Sequence, residues 1–206
     1  MTATECSSAG NAPDYTIDLD GWSAGARRLP SPNFDMRPPG TAIDLLVIHN
    51  ISLPPGQFGG PYIASLFTNT LDHDAHPYFE QLRPLRVSAH FLITRAGELL
   101  QFVSADARAW HAGVSLFDGR ERCNDFSIGI ELEGSDFVPF EPAQYRCLAT
   151  LTQALMRRYP LVSVLGHEHI APGRKTDPGP CFDWVAYREC CTAEEKSGRL
   201  CFPKLA

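Results

Sequence analysis

The aliphatic run Leu45-Leu46-Val47-Ile48 ends directly in His49 and Asn50. Four consecutive branched side chains leave no polar face, so the segment from Asp44 to Asn50 reads as a strand buried on both sides. Such a strand needs a sheet around it and helices over that sheet. The rest of the chain supplies both. Ala89–Thr94 and Glu98–Val103 read as two strands joined by the tight turn Arg95-Ala96-Gly97, and Phe126–Leu132 as another. Tyr145, Leu148, Thr152, Leu155 and Tyr159 recur at helical spacing, opened by Pro142 and stopped by Pro160. A short helix is expected over residues 61–67, a strand over 161–166 delivering His167, a stiff loop over 167–180 and a last helix over 183–191. The expected fold class is mixed α/β: a central mixed sheet with helices packed on it, in one domain.

The chain has 206 residues, enough for one substantial core. Residues 1–20 are small and polar and read as a disordered extension, residues 21–190 as the domain, and 191–206 as a tail. Twenty-four acidic against eighteen basic residues give a net charge of −6, which ranks nucleic acid low among partners. The apolar runs are too short to span a bilayer, so no membrane partner is expected. The N-terminus lacks a basic start and an apolar stretch, and the seven cysteines form no CxxC pair. Reduced thiols in a cytoplasmic, monomeric protein are the expectation.

Three segments concentrate chemistry. An imidazole at a strand end before a glycine-rich loop, as at His49, faces a cleft or serves the core as a hydrogen-bonded residue. The segment from Gly166 to Pro180 holds His167, His169, Lys175 and Asp177. Two imidazoles and one carboxylate suit zinc and leave a fourth position for water or substrate. Spacing alone does not choose between Asp177 and His169, since two residues apart on an extended chain share a face. In Ile128-Gly-Ile-Glu-Leu-Glu-Gly134, Glu131 and Glu133 share the other face from the apolar residues. A carboxylate in a buried strand is costly unless it is paired or serves a site.

Several longer stretches carry a resemblance. Val47-Ile-His-Asn-Ile-Ser-Leu-Pro-Pro-Gly56, Arg86-Val-Ser-Ala-His-Phe-Leu-Ile93, Ala109-Trp-His-Ala-Gly113, Arg120–Gly134 and Lys175-Thr-Asp-Pro-Gly-Pro180 resemble, in order, the zinc-dependent N-acetylmuramoyl-L-alanine amidases. The likeness runs from about Gly21 to Trp184 and is strongest to the cytosolic branch. Phage amidases and peptidoglycan recognition proteins are more distant relatives. The resemblance implies one zinc ion held by His49, His167 and Asp177, with His169 a bystander. It implies Glu131 and Lys175 as catalytic residues, and a muropeptide as substrate, cut at the amide between the muramyl lactyl group and L-Ala. It further implies a place in peptidoglycan recycling, whose fragments signal in bacteria with an inducible β-lactamase. His90 is expected to be structural and His111 to border the cleft. Asn50, Arg86, Trp110 and Arg122 are the expected substrate contacts. A binding module without turnover is the rival reading.

Overall fold

The computed structural model describes residues 13–192 and 200–204. Ten strands and four α-helices follow one another as β1 (Arg27–Arg28), β2 (Phe34–Asp35), β3 (Leu45–Ile51), α1 (Tyr62–Phe67), β4 (Phe91–Ile93), β5 (Leu99–Gln101), β6 (Arg108–Ala109), β7 (Leu116–Phe117), β8 (Arg120–Glu121), β9 (Ser127–Glu133), α2 (Pro142–Arg158), β10 (Ser163–Gly166), α3 (His167–Ile170) and α4 (Trp184–Thr192). Six strands form one sheet in the order β1-β5-β4-β9-β3-β10. The β4–β5 hairpin is antiparallel, and the other four pairings are parallel. The expected mixed sheet is therefore present, with the aliphatic run of β3 on an interior strand, one in from the β10 edge.

Alternation along the strands divides the two faces. Leu46 and Ile48 of β3 and Ile128, Ile130 and Leu132 of β9 join one core with Leu148, Leu151 and Leu155 of α2 and Tyr187 of α4. Each fully buried side chain of this kind contributes about 1.5–3 kcal/mol, so the face is the main anchor of the fold. Helix α2 is also fastened at its start. Pro142 fills the first turn, and Glu141 N–H donates to Gln144 Oε1 at 3.0 Å. Gln144 Nε2 in turn donates to the carbonyls of Ile93 and Glu133, tying the helix to the ends of β4 and β9. The opposite face carries α1 and the long loops, packed on Leu92 and Leu100, and a smaller cluster around Leu45, Val47, Ala112 and Phe126. His49 and Glu131 point to that second face.

Three expectations need correction. The domain does not wait until residue 21. Tyr15 and Ile17 are buried in the main core, Tyr15 Oη meets Cys147 Sγ at 3.4 Å, and Ile17 bridges to Ser23. Residues 1–12 of the expected extension lie outside the described residues. The described parts of the expected tail also join the fold: Cys191 lies buried in α4, Leu200 is in the core, and Cys201 adds a parallel bridge beside Ser163 at the sheet edge, while residues 193–199 and 205–206 lie outside the described residues. A bridge of one residue is too short to show as periodicity, and only tertiary burial reveals it. A smaller correction concerns the loop expected over 167–180, which opens with the helical turn α3.

Candidate metal centre and active site

Strand β3 carries His49 two residues before its end at Ile51, and β10, its parallel neighbour, ends one residue before His167. Asp177 arrives from the loop after α3, which folds back so that Glu168 N–H donates to the Asp177 carbonyl at 2.9 Å. Gly166 permits this return. A Cβ there would sit 2.5 Å from Pro178 Cδ. The result is a tight triangle. His49 Nδ1 lies 2.8 Å from Asp177 Oδ2 and 3.0 Å from His167 Nδ1, and His167 Nδ1 lies 3.1 Å from the same carboxylate oxygen. The three donor atoms all lie within 4.8 Å of one another and form a group able to hold a metal ion.

The surroundings favour a cation at that point. His167 Nε2 lies 3.0 Å from the Ala112 carbonyl, which only accepts, so Nε2 bears the proton and Nδ1 keeps its lone pair. Burial lowers the pKa of His49, against the pull of Asp177, and so favours the neutral ring that a ligand must be. Both histidines are almost fully buried. The imidazole and carboxylate donors match the set that zinc prefers.

The other spacing-based option fails on geometry. His169 lies in the turn of α3 and not on an extended segment, so it does not share a face with His167. Its Nδ1 accepts the Gly166 N–H at 3.0 Å, and its ring meets Trp184 edge-on at 5.7 Å.

Glu131 and Glu133 divide the work suggested by their shared face. Glu133 is saturated: Oε1 accepts from Gly59 N–H at 2.5 Å and Oε2 from Arg95 N–H at 3.0 Å. It fastens the loop after β3 to the β4–β5 turn. Glu131 is register partner to His49 across the β3–β9 pair. Its residue is buried, yet Oε2 has no hydrogen-bond partner. Burial, reinforced by the charge of Asp177, raises its pKa well above the ordinary value, and Lys175 opposes that shift. A buried carboxylate oxygen without a partner is expensive as structure, which sets Glu131 apart as a group aimed at something else. Lys175 is exposed, and its charge acts on both Glu131 and His49.

The expected substrate contacts are dispersed. Asn50 adjoins His49, but its amide donates to Asp136 Oδ1 at 2.7 Å and to the Pro178 carbonyl at 3.1 Å. It braces the segment that follows Asp177. Trp110 is half-buried, and its backbone pairs with Ser88. Arg122 is exposed, has a left-handed backbone (φ 60°), and pairs with Asp125 at 3.4 Å. Arg86 turns one guanidinium nitrogen onto the carbonyls of Arg83 and Leu85 and lines a small cavity of about 50 Å³ with Leu66, His73 and Leu82. None of these four makes a hydrogen bond to the metal triangle among the described contacts.

His90 is structural, as expected: fully buried, it accepts Gly129 N–H at Nδ1 and meets the Ala107 carbonyl at Nε2. His111 does not simply border a cleft; its Nδ1 stands 3.0 Å behind His49 Nε2. Sequence reasoning missed Ser127, Ala112 and Arg174 entirely. Ser127, Gly129 and Glu131 alternate on one strand face, and that pattern was the available signal for what lies beneath the site.

A parallel-centred mixed sheet, with a His-His-Asp group and a buried glutamate side by side at its strand ends, defines an amidase-type hydrolase. Residues 39–180 match the N-acetylmuramoyl-L-alanine amidase family, and the chain belongs to that family. Among individual relatives, it is 60% identical over 175 residues to the 1,6-anhydro-N-acetylmuramyl-L-alanine amidase AmpD of Citrobacter freundii, covering 84% of this chain and 94% of that one. The crystal structure of a selenomethionine derivative of AmpD superposes with a TM-score of 0.82 at 60% identity, over 84% of this chain and 98% of the other. The Escherichia coli amidase AmiD is 32% identical, with a TM-score of 0.53 over 75% of this chain and 60% of its own. Its structure was solved as a complex with anhydro-N-acetylmuramic acid-L-Ala-D-gamma-Glu-L-Lys.

Proposed function

We propose that this amidase cuts the amide bond between the lactyl group of 1,6-anhydro-N-acetylmuramic acid and L-Ala in muropeptides. The likeness to AmpD, at 60% identity over nearly the whole of that enzyme, supports the anhydromuramyl substrate. The anhydromuramyl peptide bound by AmiD supports the same class. One observation in the chain carries the hydrolytic reading over mere binding: Glu131 Oε2 is buried and unpartnered on the strand beside His49. A binding module has no use for that cost.

His49, His167 and Asp177 would hold one zinc ion, which when bound supplies Lewis acidity toward the amide carbonyl. Glu131 takes a proton from the attacking water and returns it to the leaving L-Ala amine. A cation at the triangle favours the ionised form that a base needs, offsetting the burial that raises its pKa. Lys175 supplies a positive charge for the oxyanion that forms at the carbonyl. Trp110 offers an apolar surface to the sugar or peptide, and Arg122 a guanidinium to a stem-peptide carboxylate. Arg86 and Asn50 are already engaged with backbone and Asp136, so they shape the site's surroundings more than they grip.

Cys123 and Cys147 carry buried free thiols, which supports a reducing, cytoplasmic setting. Among the described residues no helix is long and apolar enough to cross a membrane. The triangle and Glu131 need no second chain to assemble, so we read the working form as a monomer. In that setting the reaction trims recycled wall fragments, and in a bacterium with an inducible β-lactamase it would change the pool that signals.

Purified protein incubated with anhydromuramyl-tripeptide, with products followed by mass spectrometry, tests the reading. Free tripeptide should appear, vanish after chelation and return with zinc. Intact substrate in a zinc-loaded sample would instead favour peptidoglycan-fragment binding.

A further inference from the structure

The two candidate histidine ligands are secured differently from behind. His167 Nε2 reaches a carbonyl directly, that of Ala112. His49 Nε2 reaches another imidazole, His111 Nδ1, at 3.0 Å. An imidazole can either give or take a proton, so this contact alone does not say which nitrogen of His49 is free. The line continues. His111 Nε2 lies 3.2 Å from Ser127 Oγ, and Ser127 Oγ donates to the Cys123 carbonyl at 2.6 Å.

That last carbonyl sets the direction of the whole line. It has no proton to give, so the serine hydroxyl spends its only proton on it. Ser127 Oγ must then accept from His111 Nε2–H. A neutral imidazole carries a single N–H, so His111 Nδ1 accepts and His49 Nε2–H donates. His49 Nδ1 is left with its lone pair, and Nδ1 is the atom that faces His167 and Asp177.

The line is built into rigid parts. Ser127 and Cys123 are fully buried. The Ser127 carbonyl takes a bond from Arg37 Nη2 at 2.8 Å, and Cys123 N–H donates to Ser115 Oγ at 3.0 Å. The backbone N–H groups of His111 and Ala112 both donate to Asn124 Oδ1. The space for the imidazole exists only because residue 129 is glycine: a Cβ there would lie 2.4 Å from His111 Cγ.

We propose that His111 and Ser127 are positioning residues that lock His49 in its Nε2–H tautomer, so that the segment His111–Ala112 orients both imidazoles toward the metal. The proposal rests on the metal reading of the His49–His167–Asp177 group. Ligating histidines held by such outer partners typically lose about 10–100-fold in metal affinity when the partner is removed.

Zinc affinity, measured by competition with a chromophoric chelator, gives the first readout. His111→Leu, which removes the acceptor, should weaken zinc binding by about 10–100-fold. His111→Asn places an amide oxygen near the Nδ1 position and should restore most of the loss. Ser127→Ala should weaken binding in the same direction, and circular dichroism confirms that each variant is folded. Nitrogen-15 spectra of the metal-free wild type give the second readout, independent of any variant. His49 and His111 should both appear as Nε2–H tautomers, and Ser127→Ala should shift His49 toward Nδ1–H. A wild type that binds no zinc overturns the metal reading and this proposal with it. Tight zinc binding in the wild type, matched by His111→Leu, or an Nδ1–H tautomer at His49, overturns the proposal and leaves the metal reading standing.

Discussion

His49 and Glu131 are register partners on adjacent parallel strands, one in the His49–His167–Asp177 group and the other a buried carboxylate with an unpartnered oxygen. Neighbouring strands lie about 4.8 Å apart, so backbone pairing, not side-chain contact, sets their separation. Glu131→Gln keeps the shape and removes the base. Turnover should fall by about 10²–10⁴-fold, the usual worth of a general base, with zinc content unchanged by elemental analysis. Near-full turnover in the zinc-loaded variant would remove Glu131 from the mechanism.

Lys175 is exposed and reaches the site by charge. Lys175→Met should lower kcat by about 10²–10³-fold, as losing an oxyanion donor does. KM for anhydromuramyl-tripeptide should move little. A rise in KM at unchanged kcat would reassign Lys175 to substrate grip.

Glu133 spends both oxygens on backbone N–H groups, those of Gly59 and Arg95. Glu133→Ala leaves two donors without a partner and should cost about 1.5–3 kcal/mol per charged hydrogen bond lost, read by urea unfolding. Amide exchange should quicken at Gly59 and Arg95 while zinc affinity holds. Unchanged exchange at both would mean that the loop and the turn are held by other contacts.

His90 is fully buried, and burial followed by the Arg37 charge lowers its pKa from 6.5 to about 3. The unfolded chain binds a proton there once the pH drops below about 6.5, and the folded chain does not until about 3. Stability due to this residue is whole above 6.5 and is lost progressively as the pH falls toward 3, by about 1.4 kcal/mol per pH unit. Unfolding free energies between pH 7.5 and 5 should fall more steeply for the wild type than for His90→Asn. Parallel slopes would show that His90 does not stay neutral.

Much of this fold was readable from short-range pattern. The run Leu45–Ile48 and the stripe Tyr145–Tyr159 announce an interior strand and its covering helix, because each buries a continuous apolar surface. Tyr15, Ile17 and Leu200 were not readable, since Tyr15-Thr-Ile-Asp-Leu19 and Leu200-Cys-Phe202 are too short to carry a periodic signal and join the core only through tertiary packing. The ligand choice divides the same way. Residue types near Gly166–Pro180 imply a metal, but His169 turns away only because α3 is helical. No spacing rule joins His111 to His49 across 62 positions.

Arg174 Nη2 donates to the Ala112 carbonyl at 3.0 Å and also to that of Val114, and the first of these oxygens is the one that orients His167. The ligand ring and the surface strap from His111 to Val114 thus share a single hinge point. Val114 is 85% exposed, so whatever leans on the strap from outside reaches His167 through that oxygen and His49 through the His111 ring.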